Sequence, residues 1–292
     1  MSQGSTSRGR AVRAAPQGAA PAAARLPRPI LQGRRRAGPV AAILLAAVLL
    51  GAAACGGDTP GSATAKTTTV NVFAAASLTE AFTELGDDFA SAHPGVKVAL
   101  DFAGSNDLVM QMQEGAPADV FASADTTNMD KAGDLVNPHR VFAGNTLAIA
   151  VEPGNPEHIN GLADLSRKDL KVVLAAPEVP AGKYAGEILD RAGVSVSPVS
   201  LEVTVKGVVT KIALGEADAG IVYVTDVTAA KGRIDAVPIP AAQNVIASYP
   251  IATLVSSDSS AQAQAFVDLV LSAHGQRVLA GYGFLRPPSA IQ

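Results

Sequence analysis

Val70 to Phe89 reads VNVFAAASLTEAFTELGDDF, and the rest of the chain is organised around it. Val70-Asn71-Val72-Phe73 is short, β-branched and aromatic, the composition of a buried strand. Ala74 to Ala76 bring small side chains to the strand's end, and at Ser77 the pattern changes. Leu78, Ala81, Phe82, Leu85 and Phe89 repeat at helical spacing, which predicts a helix starting at Ser77. Ser77-Leu78-Thr79-Glu80 fits a capping box, in which the hydroxyl accepts from a first-turn amide and Glu80 reaches back. The same strand–turn–helix geometry aims free backbone N–H groups and a positive dipole end beyond the sheet. Two roles are open to Ser77: cap of its own helix, or donor to an anion.

Working outward, the chain of 292 residues divides at Cys55. The first 55 residues hold eight arginines, no acidic residue and a 15-residue apolar run from Val40 to Ala54. A basic region, a short apolar run and small residues before a cleavage point describe an export signal. A transmembrane helix needs about 20 apolar residues. Cys55, the single cysteine, follows Ala52-Ala53-Ala54 and resembles the lipid-accepting cysteine of bacterial lipoproteins, with Ala52 where a leucine is usual. Residues 56–68 are rich in Thr, Gly, Ser and Ala without apolar periodicity, which predicts a flexible tether. The whole chain carries 23 basic and 26 acidic residues; without the eight arginines, 15 basic face 26 acidic, a net charge of −11. That balance argues against nucleic acid as a partner, and it obliges any bound anion to be held by local donors.

Beyond Thr69, strand-like segments alternate with helical ones. Strands are expected over Lys97–Phe102, Asp119–Ala122, Thr146–Val151, Lys171–Ala175, Leu201–Thr204, Ala219–Tyr223 and Ile246–Val255. Helices are expected from about Leu108, over Thr126–Leu135, Tyr184–Asp190 and Gly207–Leu214, and over Ala261–Ala273. Gly104-Ser105-Asn106 reads as a turn. This alternation predicts an α/β fold of mostly parallel sheets flanked by helices, and some 220 residues suit two lobes. Ligands in such sheets bind beyond the carboxyl ends of strands, which marks the loops AAAS, AGSN, APEVPAG and VYVTD.

Catalytic patterns are missing from the sequence. His93, His139, His158 and His274 are scattered, and there is no G-x-S-x-G, phosphate loop or C-x-x-C. Ser77 and Ser105 could act as nucleophiles, but no base stands near either in the sequence. What remains on the strand-end loops is a set of neutral donors: Ser77, Ser105, the amides after Pro180, and Tyr223. Such groups suit an oxyanion that stays ionised at neutral pH.

FAAASLTEAF (Phe73–Phe82), FAGSNDLVMQMQEGAPADVFASAD (Phe102–Asp125), GNTLAIAV, PEVPAGKYA, GIVYVTDV and YGF occur in order and together resemble the periplasmic molybdate-binding proteins of ABC transporters. The resemblance spans about Val70 to Phe284. It implies a two-lobed, type II periplasmic binding-protein fold with the ligand cleft between lobes. Lobe one would hold residues 69–147 and 248–292, and lobe two 148–247. It implies no enzyme activity and no cofactor, only a tetrahedral oxyanion, molybdate and also tungstate. Carried over by motif, the oxyanion ligands are Ser77, Ser105, the Ala181 and Val205 backbone amides, and Tyr223. The resemblance further implies an extracytoplasmic monomer, lipid-anchored at Cys55, that delivers its anion to a membrane permease. Gly104 and Asn106 stand where the family has a serine-rich loop; Asn106 could donate or simply make the turn. Lys206, beside Val205, could strengthen anion binding or be an ordinary surface lysine. Sulfate or thiosulfate on the same fold is the nearest rival. Ferric binding calls for adjacent tyrosines, and Tyr223 has none beside it in the sequence.

Overall fold

The computed structural model describes residues 67–287. The expected signal over 1–55, with Cys55, and the tether up to residue 66 lie outside the described residues. The chain first builds β1 (Thr68–Ala75), a 3₁₀ turn (Ala76–Leu78), α1 (Thr79–Ala92), β2 (Val96–Ala103), α2 (Ser105–Gln113), β3 (Val120–Ala122), α3 (Thr126–Ala132) and β4 (Arg140–Asn145). It then crosses into β5 (Leu147–Val151), β6 (Val172–Ala175), α4 (Pro180–Ala192), β7 (Ser200–Glu202), α5 (Val205–Ala213), β8 (Ala219–Tyr223), α6 (Val224–Ala230) and β9 (Asp235–Pro238). It returns through β10 (Ala247–Thr253) to α7 (Ser260–Leu271) and α8 (Ala273–Gly281).

Two five-stranded sheets result, ordered β2-β1-β3-β10-β4 and β7-β6-β8-β5-β9. The two-lobed α/β architecture matches the expectation, but each sheet is mixed. β1 pairs in parallel with β2 and β3, while β10 runs antiparallel to both β3 and β4. In the second sheet β6 is parallel to β7 and β8, while β5 is antiparallel to β8 and β9. The parallel pairs come from crossovers through helices within a lobe. The antiparallel ones come from β5 and β10, the strands that enter each sheet from the other lobe.

The apolar stripe of α1 is buried as its spacing predicts: Ala81, Phe82, Leu85 and Phe89 are in the core. Phe82 and Phe89 meet Phe266 of α7 edge-on, with ring centroids 5.9 and 5.5 Å apart. The ring chain continues from Phe82 to Phe142 (5.7 Å), then Tyr249 (6.3 Å) and Tyr223 (5.8 Å), so the core of one lobe runs into the strand ends of the other. Such offset and edge-to-face pairs favour one arrangement of rings over others.

Four elements were not expected from the sequence. Gly144 and the leading Arg140 obscure β4. β9 is largely exposed and carries no buried pattern. α6 follows β8 with no turn residue between them. α8 holds Gly275 in its first turn because a side chain there would meet the Leu269 and Val270 carbonyls of α7 at 2.3 and 2.6 Å.

Candidate functional site

All five residues predicted from the sequence line one small cavity. Its wall is made by Ala76–Ser77 after β1, Gly104–Ser105 after β2, Ala124 after β3, Pro180–Ala181 after β6, Val205 after β7, and Tyr223 at the end of β8. The cavity therefore lies beyond the carboxyl ends of strands of both sheets, where α/β sheets commonly bind ligands. About 10 Å³ is open to the centre of a water-sized sphere, room for a single small species. No charged side chain lines the cavity. A larger groove of about 610 Å³, lined in part by Arg140, Arg277 and Arg286, contains none of the predicted residues.

The expected capping box at Ser77 does not form. Ala76–Leu78 is a 3₁₀ turn, α1 begins only at Thr79, and neither start is capped by a side chain. Ser77, 4 % exposed, instead bonds through Oγ to the Tyr249 hydroxyl at 2.9 Å. Glu80 turns outward to Lys206 rather than back. The turn expected at Gly104-Ser105-Asn106 is likewise the start of α2, with Gly104 as its N-cap and Ser105 its first residue. Gly104 is needed there: a Cβ would lie 2.9 Å from the Val203 carbonyl of the facing lobe. Asn106 does not reach the cavity; its amide donates to Asp107 Oδ1 at 2.8 Å.

The hydrogen bonds around the cavity leave donors pointing inward. Ser105 is fully buried, and its Oγ accepts from the Ala124 N–H at 3.1 Å, so its own hydrogen is free for the cavity. Asn145 Oδ1 accepts from the Thr146 N–H, which turns the amide nitrogen toward Thr225 Oγ1 (2.8 Å) and the Tyr249 hydroxyl (3.4 Å). With a donor already on its oxygen, Tyr249 is assigned as donor to Ser77, and the Ser77 hydrogen is left for the cavity. Tyr223, 1 % exposed, has no hydrogen-bond partner for its hydroxyl among the described residues. An unpartnered buried hydroxyl costs about 1–3 kcal/mol, a cost recovered by a ligand that accepts from it. Burial pushes both the Tyr223 and Tyr249 phenols well above their ordinary value, so both stay protonated.

The backbone adds to this donor set. Ala181 stands second in α4, after Pro180, and Val205 is the first residue of α5, so neither N–H has a carbonyl one turn back within its helix. Thr204 Oγ1 takes the Gly207 N–H at 3.1 Å and leaves the Val205 N–H alone. Neither helix has an acidic residue in its first turn to compete for these groups. Gly182 lets α4 come this close: a Cβ there would lie 2.1 Å from the Ala176 carbonyl oxygen and 2.4 Å from that of Ala175. α1, α2, α4 and α5 thus start at or beside one cavity, with their dipoles' positive ends toward it.

Charge is gathered outside the cavity. Lys206 Nζ sits 2.9 Å from both Glu80 carboxylate oxygens and 3.3 Å from Asp226 Oδ1. It is neither a free surface lysine nor a wall of the cavity. Burial pushes the Asp226 carboxyl up to about 6, against the pull of Lys206 and of the Tyr223 N–H that it accepts at 3.2 Å. Lys183 of α4 donates to Thr127 Oγ1 at 2.7 Å and lies 3.8 Å from the buried Asp125.

Sequence reasoning missed Tyr249, Asn145 and Thr225. Tyr223 does have a tyrosine neighbour in space, Tyr249, which comes from a strand 26 residues away in the chain. Its hydroxyl is engaged by Ser77 and Asn145, and it does not line the cavity. Among the described residues no group of three His, Cys, Asp or Glu side chains could hold a metal ion.

A model of bacterial extracellular solute-binding proteins matches residues 70–285. A molybdate-binding protein of Mycobacterium tuberculosis, ModA, is 43% identical over 253 residues, 86% of this chain and 97% of its own. The ModA of Escherichia coli is 33% identical over 239 residues, covering 77% of this chain and 91% of its own. In backbone shape the chain is similar to the periplasmic molybdate-binding protein of Azotobacter vinelandii, with a TM-score of 0.64 at 20% identity, covering 75% of this chain and all of the other. The chain belongs to the family of bacterial extracellular solute-binding proteins.

Proposed function

We propose that the chain captures molybdate, and tungstate with it, and delivers it to the permease of an ABC transporter. The observation that carries this reading is the convergence of Ser77, Ser105, Ala181, Val205 and Tyr223 on one cavity whose free polar groups are donors. Three hydroxyls and two backbone N–H groups match a dianion with no proton to give. A protonated oxyanion, such as hydrogen phosphate, would bring an O–H that finds no carboxylate in this wall to accept it. No carboxylate lines the cavity to repel the anion, and no lysine or arginine is needed while four helix N-termini face it. The resemblance to the ModA proteins supports molybdate among such anions.

In this reading residues 69–147 with 248–292 form one lobe and 148–247 the other. Sheet membership supports the division to within a residue, since Leu147 already belongs to β5 of the second sheet and Ala247 to β10 of the first. The passages Asn145–Leu147 and Pro238–Ala247 are the connections about which the lobes open. Cys55 carries the lipid that holds the protein at the outer face of the membrane. No helix among the described residues is long and apolar enough to cross it.

Calorimetric titration of the protein lacking residues 1–55 with molybdate, tungstate, sulfate and phosphate tests the reading. The expected result is tight binding of the first two, with sulfate at least a hundredfold weaker and phosphate undetected. Sulfate binding as tightly as molybdate would overturn it.

A further inference from the structure

Two of the helices that start at the cavity, α1 and α5, together with α6, which follows Tyr223, carry within a few residues the members of a single charge cluster. Glu80 lies three residues after Ser77, Lys206 one after Val205, and Asp226 three after Tyr223. Glu80 belongs to α1 of the first lobe; Lys206 and Asp226 belong to α5 and α6 of the second. The Lys206 ammonium sits between them, equidistant at 2.9 Å from the two Glu80 oxygens and 3.3 Å from Asp226 Oδ1. Asp226 Oδ2 in turn accepts from the Tyr223 N–H. We infer that Lys206 is a latch between the lobes, which closes on Glu80 and fixes Ser77, Val205 and Tyr223 around one ligand. The inference rests on the anion-binding reading above.

Two features separate this role from that of an ordinary surface ion pair. Asp226 is 1% exposed and pins Lys206 to its own lobe, so the side chain is already oriented when the lobes meet. A pre-oriented partner loses less side-chain entropy on pairing than two free surface chains do. The cluster also holds two carboxylates to one ammonium, so Lys206 offers no spare charge to the anion. Its contribution is to the closed state, and hence to how long the ligand stays. Lys183 of the second lobe, on Thr127 and Asp125 of the first, makes a second contact of the same kind.

Glu80→Gln is the clean variant, because it removes the charge pair between Lys206 and the first lobe and leaves the Lys206–Asp226 pair intact. The chain has four tyrosines, Tyr223 and Tyr249 among them, and no tryptophan, so stopped-flow tyrosine fluorescence includes the site. Glu80→Gln is expected to raise koff for molybdate about threefold to tenfold, with kon unchanged or raised and the melting midpoint of the ligand-free protein unchanged. Lys206→Arg, which can reach both carboxylates, should keep koff within twofold of the parent. Unchanged koff in Glu80→Gln, or a loss confined to kon, overturns the latch. If the parent protein binds none of the four oxyanions, the functional reading fails separately. The latch is then tested by small-angle scattering of the ligand-free proteins: Glu80→Gln should have the larger radius of gyration, and equal radii overturn it.

Discussion

The cavity and its rim treat charge in opposite ways. The cavity has no ionised side chain and is built from hydroxyls and helix-start amides. The rim, a residue or a few away along the same helices, concentrates Glu80, Lys206 and Asp226, with Lys183 and Asp125 beside it. A lysine inside the cavity would attract any anion, including carboxylates and phosphate esters, and its flexible stem would fit them all. Fixed neutral donors bind only what matches their geometry, which favours a rigid tetrahedral ligand. In the rim the charges pair residues of one lobe with residues of the other, and there strength matters more than selectivity.

The sharpest way to break this comparison is to displace one wall of the cavity without altering any donor. Gly182→Ala does so, since the new methyl would meet the carbonyl oxygens of Ala175 and Ala176 inside 2.5 Å and both are backbone. The start of α4 must then lift away from β6 and carry the Ala181 N–H with it. We expect loss of more than a hundredfold in molybdate affinity and a fall of several kcal/mol in stability, read by calorimetry and thermal unfolding.

The rim should answer to pH where the cavity does not. The folded-state pKa of Asp226 is raised from 3.8 to about 6, so its protonation stabilises the fold. That contribution is complete below the unfolded value near 3.8 and is lost as the pH rises through about 6. Asp226→Asn removes this titration, and between pH 4 and 7 the variant should gain about 2–3 kcal/mol of stability relative to the parent. Parallel stability curves for the two proteins over that range would contradict the assignment. The cavity phenols, held well above their ordinary value, predict molybdate affinity flat from pH 7 to 9.

Within the cavity, Tyr223→Phe and Ser105→Ala should each weaken molybdate by about 1.5–3 kcal/mol in calorimetric titration. They should differ in the ligand-free protein. Tyr223→Phe removes an unpartnered buried hydroxyl and should raise the melting midpoint. Ser105→Ala strands the Ala124 N–H and should lower it.

The sequence made the cavity legible because each of its walls is local: strand, small residues, then helix start. AAAS, AGSN and VPAG carry that pattern with a donor at or just before the helix start, whereas in VYVTD the donor Tyr223 ends the strand and α6 follows directly. Val205 was legible only by resemblance, since β7 is three residues long and its flank, Thr204, reads as a cap. Ser77 shows why local reading stops there. Its capping box is correct as a pattern, but Tyr249, 172 residues later, captures the hydroxyl and Lys206 captures Glu80. Asn145, Thr225 and Tyr249 belong to three elements that meet only where the lobes join, and no spacing in the chain announces them. The mixed sheets were hidden for the same reason: strand direction depends on which lobe the chain arrives from.

Tyr249→Phe addresses the least local of these links and should have the smallest effect. The substitution keeps the ring that packs against Phe142, Phe284 and Tyr223 and removes only the hydroxyl between Asn145 and Ser77. Asn145 keeps Thr225 as a partner at 2.8 Å, so no buried amide is stranded. Ser77 keeps its hydroxyl but loses the donor that turned its hydrogen toward the cavity, and its rotor becomes free. The expected cost is therefore the orientation of one hydrogen bond, about 0.5–1.5 kcal/mol in molybdate affinity, against about 1.5–3 kcal/mol for removing a cavity donor outright. Combining Tyr249→Phe with Ser77→Ala should cost no more than Ser77→Ala alone, because Tyr249 acts on the anion only through Ser77. Full additivity in that cycle would mean that Tyr249 reaches the ligand by itself and that the cavity has a fourth hydroxyl.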